Sequence, residues 1–423
     1  NTLTSRNKAV AKMLQGMALA GIAMLYDQGF AVDEDTDFSD PLAIPFSSRA
    51  DMRALALAKF EDAYTEAGLK TWSTPAEWMG VGAGTSYTNQ QIRKVVRTMQ
   101  AELIALFPRN GAENTAADWA KVALNASQGV SAAPAFDWQF YIDVTGAECG
   151  LDCVKTWGNS IGTMRVDTRV ASLLTTNHLN PWPDPQGNPC PLVPRNGERR
   201  VGDGSWGPED DFNGYSTQGL TASAGTDYAC SGVVVFPPAR GQYHQSNLVH
   251  IRYAHLAYIG ENLPGQNGTG QDPFYTRGMN DLLWAEGLIR SGGSRTLAAT
   301  LINNTRVGRG GLVPLTGTEG DPALLAALQY EQEVEFMGQG VTPFYNRRRV
   351  DGLLTGTPRH MPVPAKEMDV LVREVYTFGG PGQPDMAPGR EGTAGGASVR
   401  SVREIHEDFR KEVRRITSSH RNW

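Results

Sequence analysis

Residues 281–371 decide how this chain is read: LLWAEGLIRSGG (282–293), TLAATLINNTRVGRGGLVPLT (296–316) and ALLAALQYEQEVEFMGQGVTPFYNRRRVDGLLTGTPRHMPVPAKEMDVL (323–371). The first two pieces are helical patterns punctuated by Gly pairs, as helices joined by tight turns require. The third is a further helical pattern that runs into Arg347, Arg348 and Arg349 and then into an extended segment set by Pro362 and Pro364.

Working toward the N-terminus, residues 5–130 carry four more amphipathic patterns. The first places Val10, Met13, Leu14, Met17, Gly21, Met24 and Leu25 at three- and four-residue spacing. The second, 49–67, aligns Met52, Leu55, Phe60 and Ala63. The third runs from Thr88 to Phe107 and stops at Pro108, and the fourth spans 115–129 with Trp119 and Val122. Short connections between helices of this length predict antiparallel, tetratricopeptide-like pairs, although the tetratricopeptide consensus itself is absent. Residues 131–273 differ: helical periodicity vanishes, and NPWPDPQGNPCPLVPRNG and GDGSWGPEDDFNG have loop compositions. Helices resume near Tyr275, and a Gly/Pro stretch (379–396) separates them from a last helical pattern.

In that order these pieces resemble the SusD/RagB family of surface lipoproteins, which capture nutrients for an outer-membrane transporter. TSRNKAVAKMLQGMALAGIAMLYDQGF (4–30) looks like the family's opening scaffold helix, and ARGQYHQSNLVHIRYAHLAY (239–258) like the segment entering its last helices. The resemblance covers most of residues 4–380, weakly in the middle and strongly at the end. It implies a mostly α fold, with a helical-pair scaffold (5–130 and 274–375) around a large irregular insertion (131–273) that supplies the ligand face. It further implies a non-catalytic protein on the outer-membrane surface or outside the cell, binding an oligosaccharide or other polymeric nutrient beside a TonB-dependent, SusC-like transporter. Members open with a lipidated Cys and several dozen residues ahead of the first scaffold helix, neither of which this sequence shows, so the resemblance leaves anchoring open. Members also end soon after the position of YTFGG, whereas this chain continues for more than forty residues. The expected organisation is therefore a domain at 1–378, a tether at 379–398 and a C-terminal helix at 399–423.

Composition narrows the functions. A chain of 423 residues, 40% hydrophobic, is long enough for one large or two ordinary cores. A net charge of -6 argues against a nucleic-acid partner. The apolar run 13–26 is too short to span a bilayer. There is no GxSxG, no HExxH and no phosphate-binding loop with its Lys, and the seven His form no metal-ligand spacing. No enzyme and no cofactor are expected. Glu209–Gly214 matches the first half of an EF-hand loop through Asp211 and Asn213, but Leu220 stands where a bidentate Glu is required, so a solvated acidic turn is the expectation.

Four cysteines suit an exported protein if Cys149 pairs with Cys153 and Cys190 with Cys230, bracing the irregular middle; buried free thiols are the alternative. Sugar rings stack on aromatic faces while Asp, Asn and Arg bond their hydroxyls. Trp157, Trp182, Trp206 and Tyr215, set among such residues in the middle segment, are the candidate ligand contacts, whereas Trp119 and Trp284 fall in helical periodicity and are expected in the core. Arg347, Arg348 and Arg349 are expected to form salt bridges to neighbouring helices. In the tail, Ser401 and Glu404 make a capping box, and Val402, Ile405, Phe409, Val413 and Ile416 form one apolar stripe. Such a helix on a Gly/Pro tether packs on its own domain or on another copy, so a structural protomer of a filament or surface array, assembled through this tail, is the alternative function.

Overall fold

The computed structural model describes residues 1–80, 84–143, 165–178, 180, 193–205, 225–230, 246, 248–253 and 269–376. Helix α1 (Thr2–Leu25) starts at Asn1, whose side chain accepts the Thr4 N–H, and packs antiparallel on α2 (Arg49–Gly68). The direction is fixed by contacts along the pair: Ser5 Oγ donates to the Glu66 carbonyl at one end, and Gly29 meets Met52 at the other. Strands β1 (Gln28–Gly29) and β2 (Ser47–Ser48) close the hairpin. Helix α3 (Asn89–Leu106) begins in a complete capping box of Thr88 and Gln91, and Asn89 donates to the Ala67 carbonyl at the end of α2.

The α1–α2 contact corrects the expected stripe. The buried residues of α1 are Ser5, Ala9, Met13, Gly16, Leu19, Ala20 and Ala23, mostly small. Gly16 lies so close to the Phe60 ring that a Cβ there would sit 2.6 Å from it. Small residues let the two backbones approach, so the larger side chains at Val10, Leu14, Met17 and Met24 are displaced to an adjoining face, and Leu14 is 55% exposed. The fourth helical pattern also divides, into α4 (Gly111–Thr115) and α5 (Trp119–Ala126), because Asp118 caps a new helix at Lys121 N–H.

The middle segment is less irregular than its composition suggests. It holds β3 (Trp138–Asp143), α6 (Thr168–Leu174), β4 (Val201–Ser205), β5 (Tyr228–Cys230), β6 (Leu248–His250) and β7 (Thr269–Tyr275). Within the stretch 239–258, β6 is the described element. Strands β3 and β7 pair antiparallel, bringing Trp138 opposite Tyr275, and β4–β5–β6 form a second sheet with β5 central. The second scaffold half is α7 (Arg277–Arg290), α8 (Arg295–Arg306), α9 (Asp321–Glu335), α10 (Thr342–Arg349) and α11 (Ala365–Val370). One apolar core holds α1–α3 with Trp138 and Tyr275, another α7–α9, and a bridge of Ile104, Trp119, Val122 and Leu283 joins them through α5.

The arginine run on α10 locks these parts together. Arg349, fully buried, grips both oxygens of Glu286 at 2.6 and 2.7 Å and also donates to Gln332 and Asn114. Arg347 pairs with Glu333 at 2.7 Å. Arg348 departs from the expected salt bridge: it donates to the carbonyls of Met24, Leu106 and Arg359, capping the C-terminal ends of α1 and α3. These carbonyls have no partner within their own helices, so a buried guanidinium satisfies both at once. Burial outweighs the nearby Tyr345 and Glu113 and draws Arg348 down to about 10.

Candidate functional site

Where α7 and α8 meet the middle segment, a polar cavity of about 530 Å³ opens to solvent. Thr276 caps α7 by accepting the Met279 N–H. Helical spacing then places Arg277, Asp281 and Trp284 on one face of α7, and Leu301, Asn304 and Thr305 face them from α8. Ser131 and Asp137, before β3, form the near wall. Arg252, Arg309 and Glu335 form the far wall, below the three-stranded sheet.

The walls are held by an ion network. Glu335 receives Arg200 at 2.9 Å, Arg252 at 2.8 Å and Arg309 at 3.0 Å, and Arg309 also pairs with Asp227. Burial alone would raise the Glu335 carboxyl, but Arg252, Arg309 and Arg200 outweigh it and hold the group down to about 2. Behind it, Arg200 is itself fully buried between Glu198 and Glu331. Tyr228 adds a hydroxyl bond to the Val334 carbonyl, so β5 is pinned to α9. On the near wall, Asp137 accepts the Arg277 backbone N–H at 2.7 Å and its side chain at 3.3 Å. Asp281 accepts from Asn304 at 2.8 Å, and burial raises its carboxyl above the usual range.

Three guanidiniums (Arg252, Arg277, Arg309) face three carboxylates (Asp137, Asp281, Glu335) around this space. Formal charges cancel, which disfavours a strongly charged ligand and suits a neutral one rich in hydroxyls. Trp284, expected in the core, is half-buried there and also lines the cavity. An indole beside Asp, Asn and Arg groups is the combination that holds a sugar ring.

Trp157, Trp182, Trp206, Tyr215, Asp211, Asn213, Cys149, Cys153 and Cys190 lie outside the described residues, as do Val402, Ile405, Phe409, Val413 and Ile416. Cys230 is described: it is buried in β5 and disulfide-bonded. His250 lies between Tyr228 and Tyr253, tilted against both rings, with centroids 5.3 and 5.4 Å away. Trp119 is buried, with its indole N–H donating to the Asn114 carbonyl. Among the described residues, no group of three or more His, Cys, Asp or Glu is placed to hold a metal ion. The cavity was missed in sequence because Arg252, Arg309 and Glu335 come from three separate segments, and only α7 carries a local signal, the Arg277–Asp281–Trp284 spacing.

No family model and no curated protein matches this sequence. Solved structures do. A SusD superfamily protein from Bacteroides vulgatus matches with a TM-score of 0.51 and 14% identity, over 82% of this chain and 68% of that one. A SusD-like protein from Bacteroides fragilis gives 0.49 and 14%, over 82% and 70%. The surface glycan-binding protein A of Bacteroides thetaiotaomicron, solved with laminarihexaose, gives 0.47 and 13%, over 86% and 77%. The first of these carries the structural conclusion: the chain has the SusD-like fold, a tetratricopeptide-like helical scaffold. At such identities the likeness is one of fold.

Proposed function

We propose that this chain binds glycan at the cell surface, with the cavity between α7, α8 and the ion network as a sugar subsite, and delivers it to a TonB-dependent outer-membrane transporter. The observation that carries the reading is the charge-balanced polar cavity with Trp284 at its wall. The resemblance to SusD/RagB proteins supports it in part, since it implies that the irregular insertion supplies the ligand face, and Arg252 and Asp137 on the cavity wall belong to that insertion. Trp157, Trp182, Trp206 and Tyr215 belong to this reading as the aromatic contribution of the insertion.

Isothermal titration with laminari-, malto- and xylo-hexaose tests it. Asp137→Asn combined with Arg277→Gln removes a rim pair together, leaving no unpaired charge, and is expected to weaken the best ligand by about tenfold or more. Replacing Trp157, Trp182 and Trp206 by Ala should act in the same direction. Unchanged affinity in both variants, or no binding by the wild type, would remove the cavity from consideration.

A second reading is favoured by one observation. The large apolar side chains of α1 face a surface groove, as expected of a structural protomer whose copies assemble through Val402, Ile405, Phe409, Val413 and Ile416. Light scattering on the native chain separates monomer from polymer.

A further inference from the structure

The face of α1 that its hydropathy marks as apolar is only partly covered by the described residues: Val10, Met17 and Met24 are half-buried against the core, and Leu14 and Gly21 are exposed. Val10, Leu14, Met17, Gly21 and Met24 follow one another at spacings of four, three, four and three, the seam pattern of a helix that packs along another helix. Two grooves lie on this seam, one of about 470 Å³ at Val10–Met17 and one of about 240 Å³ at Met17–Met24, and both are lined by Met17 and Phe274. The two grooves adjoin at these residues and together follow α1, as a channel with Met17 and Phe274 at its middle. Its rims expose Leu14 by 55%, Phe274 by 40% and Trp78 by 38%. Within the apolar eighteen-residue window of α1, only 33% of the residues are buried. Exposed apolar surface of this extent marks an interaction site.

Two observations indicate what covers it. The last described residue, Tyr376, donates its hydroxyl to Asp27 at 2.9 Å and accepts from Gln28, just beyond the C-terminal end of α1. The remaining chain thus departs from one end of the channel. A segment with the length and Gly/Pro content of residues 377–398 spans about 25 Å, enough to carry the C-terminal segment back along α1. The lengths also correspond. From Val10 to Met24 the seam runs about 21 Å, and the stripe from Val402 to Ile416, read as a helix, runs about 21 Å as well.

We propose that the channel along α1 is the docking site of this chain's own C-terminal segment, residues 399–423, which lays its Val402–Ile416 stripe against Val10, Leu14, Met17 and Met24. Docking in cis is favoured because a tether of this length supplies an effective concentration of about millimolar, above that of other copies in dilute solution. The proposal is independent of glycan binding, and a failure of either leaves the other standing.

Hydrogen exchange read by mass spectrometry on the full chain tests it. Protection of residues 402–416 should be present, independent of protein concentration, with the chain monomeric in light scattering. Leu14→Asp, at an exposed position, and Phe409→Asp should each lower that protection at least about tenfold, and the double variant no further. Trp78→Ala, on a different element, should lower it too and covers the case in which Leu14→Asp fails to fold. Protection that rises with concentration would mean that the segment docks on a second copy, and would overturn the proposal. So would an unprotected tail, protection indifferent to Leu14→Asp and Trp78→Ala, or wild-type chain floating with phosphatidylethanolamine–phosphatidylglycerol vesicles.

Discussion

Single buried charges set the acid response of this protein. Arg349 opposes the burial of Glu286 and draws its carboxyl down to about 2, where Glu335 also lies. Such carboxylates stabilise the fold fully above their unfolded value, near 4.5, and that contribution is lost as pH falls toward 2. Three histidines titrate earlier. Burial pulls His178, His250 and His360 each to about 4, against about 6.5 in an unfolded chain. Their folded values are depressed, so the stability they allow is complete above about 6.5 and is lost as pH falls from there to about 4. Glu102, Asp281 and Glu331 are raised by burial and act in the opposite sense. The His250 effect is isolated by comparison with His250→Gln, in which all these carboxylates are retained. Melting temperature measured from pH 7 to 4 should fall less steeply in the variant than in the wild type, whatever its absolute value. Parallel curves would show that His250 does not gain its proton on unfolding.

Helix contacts show what periodicity can and cannot reveal. Helix α3 was legible because its amphipathic pattern stops at Pro108, and the structure adds a chemical start, a Thr88–Gln91 capping box. The buried face of α1 was not, since Ser5, Ala9, Gly16 and Ala20 carry little hydropathy; they are selected for closeness, which a scale of side-chain transfer does not register. The same holds where α5 crosses α7. A Cβ on Gly287 would stand 2.6 Å from the Ala123 backbone nitrogen and 2.9 Å from its Cα. Backbone cannot swing aside as a side chain can, so Gly287→Ala has to push the two helices apart. The expected cost is about 1–3 kcal/mol, larger than for Gly16→Ala, whose neighbour is the Phe60 ring. Chemical denaturation of both variants checks the order. A Gly287→Ala protein as stable as the wild type would mean that the helices are not in this contact.

For the whole molecule, the order of scaffold, insertion and scaffold was readable because composition changes sharply near residues 131 and 275. The strands inside the insertion were not, as β5 and β6 have three residues each and depend on partners far away in sequence. Insertion joins scaffold through an apolar cluster, in which Val201, Tyr228 and Leu248 pack with Val334 of α9, and through charges beside it: Arg200 reaches Glu331 and Glu335 on α9, Arg252 reaches Glu335, and Asp227 pairs with Arg309. Ion pairs of this kind fix geometry more than they stabilise, because desolvation offsets most of their attraction. A covalent brace on the same sheet is therefore consequential, and Cys230, at the end of central β5, is disulfide-bonded. We expect its partner to be Cys190. That bond closes a loop of about forty residues, for which the chain-entropy relation gives about 4 kcal/mol of stabilisation. Digestion without reduction should yield a peptide linking Cys190 to Cys230, and Cys190→Ser with Cys230→Ser should lower the melting temperature without loss of helical circular dichroism, because the cores of α1–α3 and α7–α9 are clusters distinct from the sheet's own, which takes in Val334 of α9. Linkage of Cys230 to Cys149 or Cys153 would reject the pairing. A loss of helix signal in the double variant would show instead that scaffold and insertion fold as one cooperative unit.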